Sequence, residues 1–264
     1  MYEFEYVRPQ TVATAVEQGG AGQYLAGGMT LLPTLKLRLA QPGRLVDLNA
    51  LPELQGIRVD GNVVRIGAMT RHADVARSAE LRRAAPVLAE LAGGIGDPHV
   101  RNRGTIGGSV ANNDPAADYP AAVLGLGATV VTSAREIAGD DFFTGMFSTA
   151  LAAGELIRRI DFPVPKRAAY AKFPNPASRY AMAGVLVAET AGGIRVAVTG
   201  AGPCVFRVPE FEAALTRRFA PEALDGLEIP SDGLNQDLHG SPEYRAALVT
   251  VMAQRAVAHA AARG

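Results

Sequence analysis

Apolar residues along this chain recur at changing intervals, and each interval predicts a different element. Gly56-Ile57-Arg58-Val59 and Asn62-Val63-Val64-Arg65-Ile66 flank Asp60-Gly61, which reads as a β-hairpin. Leu81, Ala84, Ala85, Leu88 and Leu91 fall on one face at helical spacing and predict a helix over 81–91. Phe4-Glu5-Tyr6 reads as a short strand. Thr11 caps a helix to Glu17, stopped by Gly19-Gly20. Arg44 to Leu48 predicts a strand, Leu51 to Leu54 a crossing into a second lobe, and Thr70 the cap of a short helix to Arg77. Tyr119 to Gly125 follows as a helix, Ala128 to Thr132 as a strand, Asp140 to Met146 as a short helix and Glu155 to Phe162 as a strand. Beyond a linker at Pro163 to Arg167, a hairpin pairs Ala183–Glu189 with Ile194–Thr199 about Gly192-Gly193. Pro209 opens a helix through Arg218. Ser241 caps the last one, with Pro242 at its first position. Strands and helices are mixed throughout, so the class is α+β or mixed α/β.

Two glycine corners interrupt this pattern. Gln23-Tyr24-Leu25 enters Ala26-Gly27-Gly28-Met29-Thr30-Leu31-Leu32-Pro33 like the end of a strand. Thr30 predicts an N-cap, Pro33 fits a first helical turn, and the helix is expected to run on through Thr34-Leu35-Lys36-Leu37-Arg38-Leu39. The absent Cβ atoms admit a ligand to the backbone, and free N–H groups at a helix start favour an anion. The second corner runs Gly104-Thr105-Ile106-Gly107-Gly108-Ser109 and on through Asn112, Asn113 and Asp114 to Asp118. It combines N–H groups at Gly107 and Gly108 with amides and a carboxylate. Asp118 accepts hydrogen bonds only and would repel a phosphate, so its natural partner is a sugar-type hydroxyl. The plainer alternative is a glycine turn with Asp118 as a helix cap. Two such corners suggest a ligand with two phosphates and a long polar body, a flavin dinucleotide.

Composition narrows the chemistry. The 264 residues suffice for a sizeable core and about two domains. Lys plus Arg equals Asp plus Glu at 26 each, so no global charge draws in nucleic acid or anionic lipid. Phosphates are then expected on backbone dipoles rather than a basic surface. The single cysteine excludes an internal disulfide and any iron–sulfur cluster built from four thiolates of this chain. The start lacks signal-peptide regions and no run has membrane-spanning length, which predicts a soluble cytoplasmic protein. Val196 to Gly202 resembles a Rossmann turn, but Val205 stands where the third glycine belongs. His72, His99, His239 and His259 show no metal-ligand spacing and are expected at the surface or as caps; Cys204 is expected as a small buried side chain.

Both corners, in order and spacing, resemble the FAD-binding medium subunit of the molybdenum hydroxylases, the xanthine dehydrogenase and aerobic carbon monoxide dehydrogenase group. The stretches that carry the likeness are Ala26 to Arg38, Val100 to Pro120, Gly154 to Pro163, and Tyr170 to Gly184 with Pro176-Ala177-Ser178-Arg179-Tyr180. The resemblance implies a two-lobed FAD domain of the vanillyl-alcohol-oxidase (PCMH) type over 1–165, with lobes of about 1–53 and 54–165. A smaller C-terminal α+β domain would cover 166–264. It also implies that Ala26, Gly27, Gly28, Met29, Thr30 and Leu31, with Thr105, Ile106, Gly107, Gly108 and Ser109, hold the pyrophosphate. Asn112 and Asp114 would join the cofactor site, Asp118 the ribityl chain, Ile95 and Ile157 the flavin ring, and Lys172 the flavin. Met29 stands where several relatives carry His or Gln, and Asn112-Asn113 where others carry His-Ala.

On this resemblance the chain carries no catalytic residue and no metal of its own. The partners are a small subunit with two [2Fe–2S] clusters and a large molybdenum-cofactor subunit, in a dimer of heterotrimers. Electrons would pass through the FAD to NAD, a quinone or dioxygen. No histidine lies in the first corner, so the FAD is expected to be noncovalent. Two rivals remain at this stage: a stand-alone flavin oxidoreductase of the same fold, and a non-catalytic nucleotide-binding scaffold.

Overall fold

A computed structural model describes residues 1–262. The first segment alternates strand and helix: β1 (Glu5–Val7), α1 (Val12–Gly19), β2 (Gln23–Leu25), α2 (Leu31–Lys36) and β3 (Arg44–Asp47). Its strands pair in parallel in the order β1-β3-β2, as strand–helix–strand crossovers require. Thr11 caps α1 as expected, accepting from the Thr14 N–H at 3.2 Å. Ala15, Val46, Leu48, Leu51 and Leu54 form the local core, joined by Met69 and Leu156 from later in the chain.

The second segment builds an antiparallel sheet covered by helices. Its elements are β4 (Ile57–Asp60), β5 (Val63–Gly67), α3 (His72–Arg77), α4 (Ala79–Ala84), α5 (Pro86–Gly93), α6 (Pro98–Arg103), α7 (Ile106–Asn112), α8 (Tyr119–Gly125), β6 (Thr129–Thr132), β7 (Glu136–Ala138), α9 (Gly139–Phe142), β8 (Phe143–Gly145), β9 (Ser148–Thr149) and β10 (Ile157–Pro163). The sheet order is β4-β5-β10-β6-β7, with β8 and β9 paired separately. Asp60-Gly61 forms the expected hairpin, Gly61 taking φ +56°.

The remainder is a meander, β11 (Arg167–Pro174), β12 (Ala181–Thr190), β13 (Gly193–Thr199) and β14 (Phe206–Arg207), followed by α10 (Pro209–Arg217) and the 20-residue α11 (Pro242–Ala261). Its sheet is buried on both faces. Ala168, Leu186 and Ala188, with Tyr170, pack into the core of the second segment, whereas Ala171, Val185 and Val187 pack with α11. That face alternation aims Tyr170 and Lys172 at the same side of β11.

Several expectations are corrected. The helix over 81–91 is two helices, broken at Ala85 (φ −149°), because Pro86 has no N–H to donate and disfavours the helical region in its predecessor. Thr70 does not cap α3. Its hydroxyl bonds both the N–H and the carbonyl of Gly56, at 3.0 and 3.1 Å, and ties β4 to the end of β5. Helix 140–146 is only Gly139–Phe142, and Phe143 turns into β8. Helix α2 stops at Lys36, with Arg38 at φ +60°, which leaves Leu37 and Leu39 at 70% and 75% exposure. The linker shrinks to 164–166, between β10 and β11.

Candidate functional site

The two glycine corners share a wall. A Cβ on Gly27 would lie 2.1 Å from the carbonyl oxygen of Arg103 and 2.8 Å from Cα of Gly104, so only glycine lets the first corner seat against the second. Ala26 stands next to Gly108, whose added Cβ would meet the Ala26 Cβ at 3.6 Å. Asn49 donates from Nδ2 to the Ala26 carbonyl at 3.1 Å and to Oδ1 of Asp47 at 2.6 Å, pinning the corner to the end of β3. Gly28 turns the chain at φ +75°. Thr30 stands at the start of α2 without making a cap bond, contrary to expectation. Among the described residues, the N–H groups of Gly27, Gly28, Met29, Thr30 and Leu31 have no partner. Five consecutive unpartnered donors make a cradle for an anion.

The second corner works differently from its expected role. Thr105 accepts from the Gly108 N–H at 3.2 Å as N-cap of α7, and the Gly107 N–H donates to the Ala68 carbonyl at 2.8 Å. Ile106 donates to Thr70 and Ser109 to the Thr105 carbonyl. These glycines therefore offer close approach rather than free donors: a Cβ on Gly107 would lie 2.5 Å from the Ala68 Cβ and 2.7 Å from its carbonyl oxygen. Asn113 also turns away from the corner. At φ 43° it donates to the carbonyls of Gly145 and Ser148 at 2.8 and 2.7 Å.

Asp118 heads α8 but makes no cap bond, which sets aside its plainer reading. Its carboxylate is 4% exposed and accepts from the Tyr170 hydroxyl at 2.5 Å. Lys172 Nζ lies 3.0 Å from Oδ1 and 3.2 Å from Oδ2, and donates to the carbonyls of Gly94 and Arg179 at 2.8 and 3.1 Å. Burial pushes the Asp118 carboxyl above its ordinary value, against the pull of Lys172 and Tyr170. The expected ribityl and flavin contacts, distant in sequence, thus meet in one ion pair. Lys172 also grips the loop that carries Ile95. Arg101 holds that loop from behind, donating to the Ile95 and Gly96 carbonyls at 2.8 and 3.1 Å. Ile157 is 3% exposed and shares the core cluster against which Ile95 packs. Asp114 closes a turn by accepting from Ala116 N–H at 2.9 Å, Asn112 ends α7, and Ser109 and Met29 sit half-buried and 39% exposed.

Neutral composition concealed a basic pocket. Arg8, Arg71 and Arg103 line a cavity of about 410 Å³ together with Thr105 of the second corner, Asn49 and Asp47. Net charge fixes a sum and not its placement, so a neutral chain still gathers three arginines at one cavity. The sequence signal was Arg103, which sits immediately before Gly104.

His72 was expected at the surface and is instead 5% exposed, its ring 5.3 Å from that of Tyr119. Burial, with Arg101 nearby, pulls the imidazole down to about 4 from an ordinary 6.5. Between these values the unfolded chain holds a proton that the native chain does not. Stability is therefore full above pH 6.5 and lost as pH falls toward 4, by about 3 kcal/mol in all. Urea denaturation of His72→Gln across that window should show this slope removed. An unchanged slope would assign it elsewhere.

An unpartnered backbone cradle seated against a second glycine corner, with a buried acceptor-only carboxylate further along the chain, fits the class of protein that binds flavin dinucleotides, in the α+β arrangement of the PCMH type. Residues 2–165 match the family described as "FAD binding domain in molybdopterin dehydrogenase", and the chain belongs to that family. It is 36% identical to the carbon monoxide dehydrogenase medium chain of Hydrogenophaga pseudoflava, with 98% of each chain covered. It is equally 36% identical to the nicotine 6-hydroxylase medium subunit of Paenarthrobacter nicotinovorans, over 90% of this chain and 89% of that one. A solved carbon monoxide dehydrogenase of H. pseudoflava superposes with a TM-score of 0.89 at 38% identity, covering 99% and 98%. The chain is thus an FAD-binding, medium-type subunit within an oxidoreductase family. No helix among the described residues is long and apolar enough to cross a membrane.

Proposed function

We propose that this chain positions a noncovalent FAD between the iron–sulfur clusters of a small partner subunit and an external acceptor, NAD, a quinone or dioxygen. A large molybdenum-cofactor subunit would oxidise the organic substrate, in a cytoplasmic dimer of heterotrimers. The observation that carries the reading is the run of five unpartnered N–H groups in the first corner, with the buried Asp118–Lys172 pair as its second support. The cradle suits a pyrophosphate, and the spare lone pairs of Asp118 suit a polyol hydroxyl. When bound, the flavin supplies the redox chemistry. The chain binds and orients it, with Lys172 supplying a fixed positive charge and Ile95 a half-buried apolar wall.

The cofactor contacts proposed from the family pattern are Ala26 to Leu31, Ile95, Thr105 to Ser109, Asn112, Asp114, Asp118, Ile157 and Lys172. In this reading, residues 1–165 form the FAD domain and 166–264 the C-terminal domain, joined through the short connection before β11. Lone Cys204 is consistent with clusters held elsewhere, since four thiolates are needed for each. Two relatives named for carbon monoxide and for nicotine are equally similar to the chain, which agrees with a substrate chosen by another subunit.

The purified chain, reconstituted with FAD, should show oxidised-flavin absorption, and acid precipitation should release all of it into solution. A colourless protein that refuses reconstitution would sink the proposal, and flavin retained in the acid pellet would overturn its noncovalent part. Co-purification from the native host should recover two further subunits; a lone active chain would point to a stand-alone oxidoreductase.

A further inference from the structure

We propose that Tyr170 is a positioning residue for the cofactor site, acting through Asp118 and given room by Gly184; this rests on the FAD reading above. Tyr170 lies on β11, two residues from Lys172 and therefore on the same face of the strand. Its hydroxyl reaches Oδ1 of Asp118 across 52 residues of sequence. Lys172 sits closer to the same oxygen than to the other, at 3.0 against 3.2 Å. The Tyr170 hydrogen bond falls on Oδ1 and that of Lys172 on Oδ2, so each carboxylate oxygen holds one donor and keeps a lone pair for a ligand hydroxyl.

The tyrosine's path is built. Gly184 on β12 pairs with Lys172, and a Cβ there would lie 2.2 Å from the Tyr170 hydroxyl oxygen and 2.9 Å from Cζ. Any larger residue at 184 must push the hydroxyl off Asp118. Burial and the neighbouring carboxylate hold the Tyr170 hydroxyl far above its ordinary value, so it remains a donor at every working pH. A phenylalanine would fill the same space but return a less compensated carboxylate to a site that already disfavours its charge.

The titratable groups around Asp118 are Lys172 and Tyr170 from β11, Tyr119 from α8, and Tyr180 from the loop after β11. Burial already raises the Asp118 carboxyl against the pull of Lys172 and Tyr170, and removing the Tyr170 hydroxyl raises it further. Loss of the Tyr170 donor should therefore appear as FAD binding that weakens with acidity, an effect that altered packing alone would not produce.

The test is FAD titration by flavin-fluorescence quenching on the full chain. It uses wild type, Tyr170→Phe, Gly184→Ala, Asp118→Asn and the Asp118→Asn/Tyr170→Phe double variant, with thermal melting of each apoprotein. Tyr170→Phe and Gly184→Ala should each weaken FAD binding about tenfold near neutrality, and further as pH falls from about 8 to about 6. In the Asp118→Asn background, Tyr170→Phe should add nothing, because the interaction it removes is already gone. A Tyr170→Phe chain with wild-type affinity and pH profile, or losses that simply add in the double variant, would overturn the proposal. If Tyr170→Phe did not fold, Gly184→Ala would decide the matter by the same readout. A wild-type chain that bound no FAD would instead defeat the reading beneath it.

Discussion

Gly27→Ala is expected to strip FAD from the protein and lower its melting temperature. The new Cβ would stand 2.1 Å from the Arg103 carbonyl oxygen and 2.7 Å from its carbonyl carbon. Both obstacles are backbone, so no side-chain end can swing aside. Relief requires the two corners to separate. Overpacking of this kind costs about 1–3 kcal/mol. In a chain of this size that lowers the melting temperature by roughly 2–12 °C. The larger effect is on binding. A cradle of five N–H groups acts only if its donors converge on one anion, and a shift of about 1 Å is enough to spoil such positioning. FAD affinity should fall at least about tenfold, a loss of about 1.4 kcal/mol. Gly43→Ala is the control, because nothing lies within 4 Å of the added Cβ. A Gly27→Ala chain that kept wild-type FAD affinity would show that the corners need not touch.

Asp118→Ala should produce the second large loss, in folding as well as binding. Lys172 has a side chain only 11% exposed, and its remaining partners are the Gly94 and Arg179 carbonyls. Removing the carboxylate leaves a buried cation without its counter-charge, an arrangement that costs about 3–5 kcal/mol. It also leaves the Tyr170 hydroxyl without its acceptor. Urea denaturation should register the destabilisation, and the purified variant should be colourless. Asp118→Ala/Lys172→Met removes the stranded charge. It should recover much of the stability and none of the flavin. Recovery of flavin in that double variant would mean that neither residue holds the cofactor.

The features legible in the sequence were those encoded within a few residues. Thr11 and Ser241 cap their helices through contacts three residues away, and Asp60-Gly61 closes its hairpin by its own backbone preference. The break at Pro86 was legible too, since a proline without an N–H interrupts the helical spacing of Leu81, Leu88 and Leu91 and sets Ala85 outside the helical region. The free hydroxyl of Thr30 and the engaged N–H groups of Gly107 and Gly108 were not legible. Gly107 is engaged by the Ala68 carbonyl, which packing brings in from a different element, and Gly108 by the cap of its own helix, Thr105. Asp118 and Lys172 were each singled out, Lys172 through family likeness, but nothing in their spacing announces that they pair. Tyr170 and Gly184 had no signal except position, one residue two places from Lys172 and the other opposite it on β12.

The order of residues by itself therefore determined the class of fold, the places of most strands, the caps at Thr11 and Ser241, and the existence of two glycine corners with an acidic residue downstream. Tertiary structure alone decided that those corners press together, that Asp118 faces Tyr170 and Lys172, that His72 is buried, and that three arginines gather at one cavity with Thr105. The division follows from the range of the forces. Backbone preferences and caps act over one turn of chain, whereas a buried ion pair spanning 54 residues exists only once packing has excluded water and set its partners within 3 Å or so.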